Sequence, residues 1–252
     1  MALRSRGGQK VIEVISSDAP APVRIARLWW VVSAAGALIL VVLLGATIFY
    51  REANKPFGFE VEWMSGIVEA RAPVWTIPAL VFSWIGGGIG STVVVPLVII
   101  GGLLAWRRPW AALYYACAAT GSVTVVLVIK NVFGRPRPTD ILVTPDFGSF
   151  PSAHSANAAL IATTLGIIFA RTWVWIAGSI YTLLMMLSRT YLGAHWISDT
   201  IGGMLVGVGV AVIIWAPFAF RLYRERRRPH PPIWVKVPRT VPAVTESVDD
   251  AR

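Results

Sequence analysis

Long apolar stretches separated by short polar segments dominate the chain. The first stretch runs from Trp30 to Tyr50 without a charged residue, and its 21 residues can cross a hydrocarbon core about 30 Å thick. It is longer than the apolar core of a secretory signal peptide, so we expect a retained membrane helix. Five further spans are predicted at 89–106, 110–129, 155–170, 173–187 and 197–220. The expected fold class is therefore an all-α polytopic membrane protein with six transmembrane helices.

A polar segment and then an apolar segment separate the first two spans. Residues Arg51 to Ala72 contain four glutamates, and we expect a loop there. The apolar run from Val74 to Trp106 is too long for one span and too short for two, and a triple glycine at 86–88 interrupts it. We therefore predict an additional interfacial or half-inserted helix before the glycines and the second span after them.

The composition excludes several other classes of protein. Hydrophobic residues make up 56% of the chain and charged residues only 14%, whereas soluble domains average about 25% charged residues. The single cysteine, Cys117, excludes an intramolecular disulfide framework, and the three histidines form no cluster with zinc-site spacing. The net charge of +10 arises mainly in the tails and in short loops, a pattern typical of membrane topology and not of a surface that binds nucleic acid.

The distribution of Lys and Arg predicts the orientation in the membrane. With six spans both termini lie on one side, and 16 of the 23 Lys and Arg residues fall there, which indicates the cytoplasm. The domains predicted are a basic cytoplasmic tail at 1–29, a membrane domain at 30–220, and a basic, then proline-rich cytoplasmic tail at 221–252 whose end we expect to be disordered. A seventh span would place the basic C-terminal tail outside. We expect a multi-pass plasma membrane protein.

The polar residues predicted at the extracytoplasmic face combine an anion site with a nucleophile. Four cations lie at or beside the outer ends of consecutive spans: Lys130, Arg135, Arg137 and Arg189. Such a cluster attracts phosphate, whose oxygens Arg can bind in bidentate fashion. His195 and Asp199 are four residues apart, so the carboxylate could bind one ring nitrogen and leave the other free to attack. His154, at the start of the fourth span, could give a proton to the departing oxygen.

Three linked motifs in this region resemble the signature of the type 2 phosphatidic acid phosphatase (PAP2) family, whose wider group includes the vanadium haloperoxidases. The family pattern is a Lys, six residues and Arg-Pro, then Pro-Ser-Gly-His, and then Ser-Arg, five residues, His, three residues and Asp. This chain has Lys130 with Arg137-Pro138, then Pro151-Ser152-Ala153-His154, and then Ser188-Arg189 with His195 and Asp199. Ala153 replaces the usual glycine, which costs little at a negative φ and more at a positive φ.

The resemblance implies a metal-independent membrane phosphatase that works without a cofactor through a phosphohistidine. The implied substrate is a lipid phosphate or diphosphate in the bilayer: a polyprenyl diphosphate, phosphatidic acid or a related glycerolipid phosphate. By position, His195 would be the nucleophile, Asp199 its orienting partner and His154 the general acid. The phosphate would be held by Lys130, Arg137, Ser152, Ala153 and Arg189. Arg135 lies outside the pattern, and its contact with the substrate is left open.

Other functions stay open at this point. A phosphotransferase would pass the same phosphoryl group to an acceptor other than water, so an added acceptor would reduce the release of free phosphate. A transporter or scaffold with a lapsed active site is a third reading, against which the intact His154, His195 and Asp199 argue. Haloperoxidase chemistry is disfavoured because only the shared oxyanion motif suggests it. Singly, Lys130 and Arg189 could also be interfacial residues that snorkel towards water.

Overall fold

The structure is all-helical in the part of the chain that it describes. The computed structural model describes residues 24–50, 54–88, 90–228 and 232–234. These residues form eight α-helices: α1 Arg24–Tyr50, α2 Gly58–Glu69, α3 Pro73–Gly86, α4 Val95–Ala105, α5 Pro109–Phe133, α6 Ala153–Phe169, α7 Thr172–Tyr191 and α8 Ile197–Arg226. A π-helical turn at Gly90–Val94 leads into α4. The predicted all-α class is confirmed, while most of both predicted tails lies outside the described residues.

Three of the described helices are long and apolar enough to cross a membrane. They are α5, α8 and the stretch Val31–Tyr50 of α1. A fourth arises if α3 and the stretch Gly90–Ala105 are taken as one span, although a bend of 48° separates them. The predicted spans correspond in position to α1, to Gly90–Ala105 and to α5 through α8. The number six itself stays a prediction, because α6 has only 17 residues and α7 is not among the described helices that are long and apolar enough to span a membrane.

The prediction of a loop between the first two spans is wrong, because residues Gly58–Glu69 form α2. Glu60 and Met64 of this helix are buried, one turn apart on the same face. The acidic pattern indicated a solvated loop, but the structure buries the charge of Glu60 against an arginine from a later part of the chain. The apolar segment before the triple glycine does form a helix, α3.

Helices α6 and α8 form the centre of the bundle. α6 packs against α7 and α8, and α8 also contacts α1 and α5. α6 and α8 approach so closely that a Cβ on Gly203 or Gly207 would collide with the backbone oxygen of Ser152 or Ala156. Small residues allow such an approach and fix how the two helices sit against each other. The start of α6 is therefore held directly against the start of α8.

Several helices extend beyond the predicted spans, and this determines where the polar residues lie. α5 continues to Phe133 and ends at Gly134, whose φ of 53° is left-handed, so Lys130 lies in its last turn. α7 continues to Tyr191 and therefore contains Arg189. α8 continues past Phe220 to Arg226, so the beginning of the predicted C-terminal tail is helical. The ends of α5 and α7 and the starts of α6 and α8 meet at one end of the bundle.

Candidate active site

His195 lies in the short connection between α7 and α8 and is only 1% exposed. Its Nδ1 is 2.8 Å from the carbonyl oxygen of Ser149. A carbonyl can only accept a hydrogen bond, so Nδ1 carries the proton and, in the neutral ring, Nε2 keeps its lone pair. Nη1 of Arg137 is 3.3 Å from Nε2. The nitrogen that can attack therefore faces a cation.

Asp199 lies behind this ring, in the first turn of α8. Its Oδ2 is 3.7 Å from Nδ1 of His195, which is too long for a hydrogen bond. The prediction of a direct hydrogen bond between Asp199 and His195 is therefore wrong, because Nδ1 donates to the Ser149 carbonyl instead. Oδ2 instead accepts from the Trp196 N–H at 2.8 Å and caps the helix. Asp199 still lies close enough to stabilise a positive charge on the ring.

Arg135, whose role the sequence left open, is completely buried behind Asp199. Its Nη1 donates to Oδ1 of Asp199 at 2.6 Å. Its Nη2 donates to Oε2 of Glu60 on α2 at 2.7 Å. The guanidinium is thus placed to hold Asp199 and not to meet a phosphate. Sequence reasoning missed Glu60, because an acidic residue outside the motifs carries no local signal of burial.

Lys130 and Arg137 converge on Asp146, a residue of the loop between α5 and α6. Lys130 Nζ donates to Oδ2 of Asp146 at 2.7 Å, and Arg137 Nη2 donates to its Oδ1. Both cations also donate to the carbonyl oxygen of Gly148, at 3.1 and 2.8 Å. The two cationic side chains are buried, whereas the side chain of Asp146 is 67% exposed. This carboxylate stands where a phosphate would meet both cations, and sequence reasoning did not single it out.

Arg189 and His154 lie beside α3 and the triple glycine. Arg189 Nη1 donates to Oγ of Ser83 at 2.6 Å, while its buried Nε has no partner among the described residues. His154 is the second residue of α6, and a Cβ on Gly87 would collide with its Nε2. The glycines therefore do more than interrupt an apolar run, because Gly87 lets the backbone approach the histidine ring.

Ser152 and Ala153 form the start of α6. Ser152 is fully buried and caps the helix, with its Oγ accepting from the Ser155 N–H at 3.4 Å. Its own N–H donates to the carbonyl oxygen of Asp199 at 2.9 Å. Ala153 is helical with a negative φ, so alanine replaces the usual glycine here without backbone strain. The first amides of a helix are suitable donors for an anion.

The surroundings of His195 favour its neutral form. Burial and then the charges of Arg189, Arg137 and Lys130 lower the pKa of His195 well below the ordinary imidazole value, and Asp146 opposes this only in part. The ring is therefore neutral at neutral pH, which is the form that can act as a nucleophile. Partial burial opposes the ionisation of Asp146, but Lys130 and Arg137 nevertheless hold the pKa of its carboxyl below the usual value.

Comparison with known sequences identifies the same family as the motifs do. Residues 110–223 match the model of the PAP2 superfamily. Phosphatidylglycerophosphatase B of Bacillus subtilis is 28% identical over 130 residues, which cover 47% of this chain and 64%, slightly less than two thirds, of the relative. The putative undecaprenyl-diphosphatase YbjG of Escherichia coli is 31% identical over 148 residues, which cover 52% of this chain and 72% of the relative.

A solved structure shares the fold. The crystal structure of a transmembrane PAP2 type phosphatidylglycerolphosphate phosphatase from Bacillus subtilis superposes with a TM-score of 0.62 at 24% identity. The alignment covers 77% of this chain and 98% of that chain. The region matched to the family model contains all three motifs, from Lys130 to Asp199. The chain therefore belongs to the PAP2 superfamily, as its motifs predict.

Proposed function

We propose that this protein is a metal-independent phosphatase that hydrolyses a phosphate monoester or diphosphate of a membrane lipid through a phosphohistidine formed on His195. The observation that carries the proposal is the buried imidazole of His195, whose Nδ1 donates to the carbonyl oxygen of Ser149 and whose Nε2 faces Arg137. The relatives are named as a phosphatidylglycerophosphatase and a putative undecaprenyl-diphosphatase. We therefore propose a glycerolipid phosphate or a polyprenyl diphosphate as the substrate class.

In the first step, Nε2 of His195 attacks phosphorus, and the bond from phosphorus to the lipid oxygen breaks. The ring becomes positive as the N–P bond forms, and the nearby Asp199 stabilises this charge. His154 acts as the imidazolium, the form that the bound phosphate anion favours, and gives its proton to the lipid oxygen, which leaves as a neutral alcohol or as a lipid monophosphate. Three cations bind the phosphoryl oxygens: Lys130, Arg137 and Arg189.

In the second step, water attacks the phosphorus of the phosphohistidine. His154, which lost its proton in the first step, accepts a proton from this water. The N–P bond breaks and its electron pair returns to Nε2 of His195, so inorganic phosphate is released. One water is consumed for each phosphate released, and both histidines regain their starting protonation states.

We also propose that six helices cross the plasma membrane and that the site faces the extracytoplasmic side. Arginines at 107–108, 171 and 221–228 lie at the other end of the bundle from His195. An excess of such residues is typical of the cytoplasmic face, which supports two cytoplasmic termini. A lipid headgroup would then enter sideways between helices in the outer leaflet.

Phosphate release by the purified protein in detergent with EDTA tests the proposal. The substrates are a polyprenyl diphosphate, phosphatidic acid, phosphatidylglycerol phosphate and a soluble phosphate ester, each also given to His195→Ala. We expect release from a lipid substrate that EDTA does not reduce and that the variant lacks. Release retained by His195→Ala, or lost with EDTA, would contradict the mechanism. Lower release of free phosphate on addition of a lipid or sugar acceptor would instead identify a phosphotransferase.

A further inference from the structure

A buried carboxylate from outside the region matched to the family model lies behind the nucleophile. Glu60 of α2 is completely buried, and its helix precedes residues 110–223 in the chain. Its Oε2 accepts from the Phe57 N–H at 2.9 Å and from Arg135 Nη2 at 2.7 Å. Its Oε1 accepts from the N–H of Ser198 at 3.0 Å and from the Ser198 hydroxyl at 2.5 Å. These four bonds compensate the cost of burying the charge.

The bonds of Glu60 connect α2 to the start of α8. Ser198 is the second residue of α8, so its N–H has no partner within the helix, and Glu60 supplies one from another element. Arg135 then extends the connection, because its Nη1 donates both to the Ser198 hydroxyl at 2.8 Å and to Asp199 at 2.6 Å. The chain of contacts runs from Glu60 through Arg135 to Asp199 and ends 3.7 Å from Nδ1 of His195.

The charges of these residues also support a role for Glu60 in catalysis. Arg135 lies between two buried carboxylates, so the formal charges of the three groups sum to a net negative charge. Without Glu60, the guanidinium of Arg135 would offset the charge of Asp199 and weaken its effect on His195. With Glu60 present, the negative charge is available when the ring becomes positive during attack, and in a buried site such an interaction is poorly screened.

We propose that Glu60 is a positioning residue of the active site, which acts through Arg135 to fix Asp199 and to maintain the negative charge behind His195. Helix α2 is then part of the catalytic apparatus, although neither Glu60 nor Arg135 belongs to the three motifs. Glu60 itself contacts no substrate, because it is completely buried on the far side of Asp199. This inference rests on the proposed function.

Glu60→Gln tests the role of the charge with almost no change in size. Replacing the orienting Asp of a serine protease triad lowers kcat about ten-thousandfold. Mutation of a residue that hydrogen-bonds a ligand of a metal site lowers metal affinity or activity about 10- to 100-fold. We expect kcat to fall about 10- to 100-fold on the same basis, with the inhibition constant for inorganic phosphate unchanged. The matched control is Glu62→Gln, an exposed position on the same helix, which should retain the wild-type rate. A purely structural defect would instead reduce the fraction of sites that bind phosphate.

A double-mutant cycle with Asp199→Asn identifies the route of the effect. If Glu60 acts through Asp199, adding Glu60→Gln to Asp199→Asn should lower kcat no further, because the carboxylate that Glu60 positions is already lost. Wild-type kcat in Glu60→Gln would overturn the inference. An equal loss in both backgrounds would also overturn it, because Glu60 would then act independently of Asp199.

A second variant keeps the test decisive if Glu60→Gln does not fold. Arg135→Lys retains the buried cation but cannot hold two carboxylates with one planar fork, so kcat should fall while phosphate binding is retained. A folded Arg135→Lys with wild-type kcat would overturn the inference. The proposed function is tested by turnover of the wild-type protein and its loss in His195→Ala. That result does not depend on how Glu60→Gln or Arg135→Lys behaves, so the two proposals can fail separately.

Discussion

Asp146→Asn removes the carboxylate that pairs with Lys130 and Arg137 and leaves a side chain of the same size. A substrate phosphate that binds these cations must first displace the carboxylate. The affinity of the wild-type site for an anion is therefore reduced by the free energy of those contacts. We expect the variant to bind phosphate more tightly than the wild-type protein does.

The exposure of Asp146 limits the magnitude. Its side chain is 67% exposed, so water and salt screen both ion pairs. Exposed ion pairs contribute roughly 0.2–1 kcal/mol each. The two contacts together then amount to about 0.4–2 kcal/mol, which corresponds to an affinity for phosphate about 2- to 30-fold higher in Asp146→Asn.

Competitive inhibition of turnover by inorganic phosphate measures this change directly. The matched control is Asp140→Asn, which makes the same change of charge in the same loop, where the carboxylate accepts from Thr139 and not from the two cations. The inhibition constant should fall in Asp146→Asn alone. A rise would contradict competition by Asp146, because the carboxylate would then be orienting the cations for substrate. An unchanged inhibition constant would also contradict this competition, because the carboxylate would then not occupy the phosphate site.

Three further predictions concern the two histidines. Gly87→Ala should displace His154 and reduce kcat by up to about a hundredfold, whereas Gly101→Ala, in open space, should have no effect; equal rates would contradict the contact seen here. His154→Ala should slow substrates with poor leaving groups most, since good leaving groups need less proton donation, and a uniform loss would exclude its role as the acid. Burial and nearby cations lower the pKa of His195, so NMR of labelled histidine should show that its ring is still neutral when the pH falls to about 6.5. A ring that titrates at or above that pH would contradict this prediction.

The sequence predicted the helical class and the groups that assemble. Apolar stretches and motif order placed Lys130, His154, Arg189 and His195 at the ends of successive helices, and the structure brings these ends together. These predictions succeed because membrane spans and fixed spacings are local signals along the chain. The helix boundaries were less accurate, because polar residues such as Lys130 can continue a helix beyond the apolar part of a span.

The parts that the sequence did not predict are long-range pairings. Glu60 meets Arg135 across 75 positions, and Ser149 meets His195 across 46, so neither contact leaves a periodic or motif signal. The charge of Glu60 even favoured a loop, since an unpaired carboxylate would be too costly to bury. The pairing of Asp146 with two motif cations likewise depends on the path of the loop after α5, which composition does not determine.

Trapping the covalent intermediate shows whether His195 carries the phosphoryl group during turnover. The wild-type protein and His195→Ala are mixed with a lipid substrate radiolabelled in its phosphate and quenched within the first turnover. We predict a labelled polypeptide in the wild-type protein that forms before free phosphate, and no label in the variant. Free phosphate that appears in the first turnover without a labelled polypeptide, or label that persists in His195→Ala, would contradict a phosphohistidine on His195.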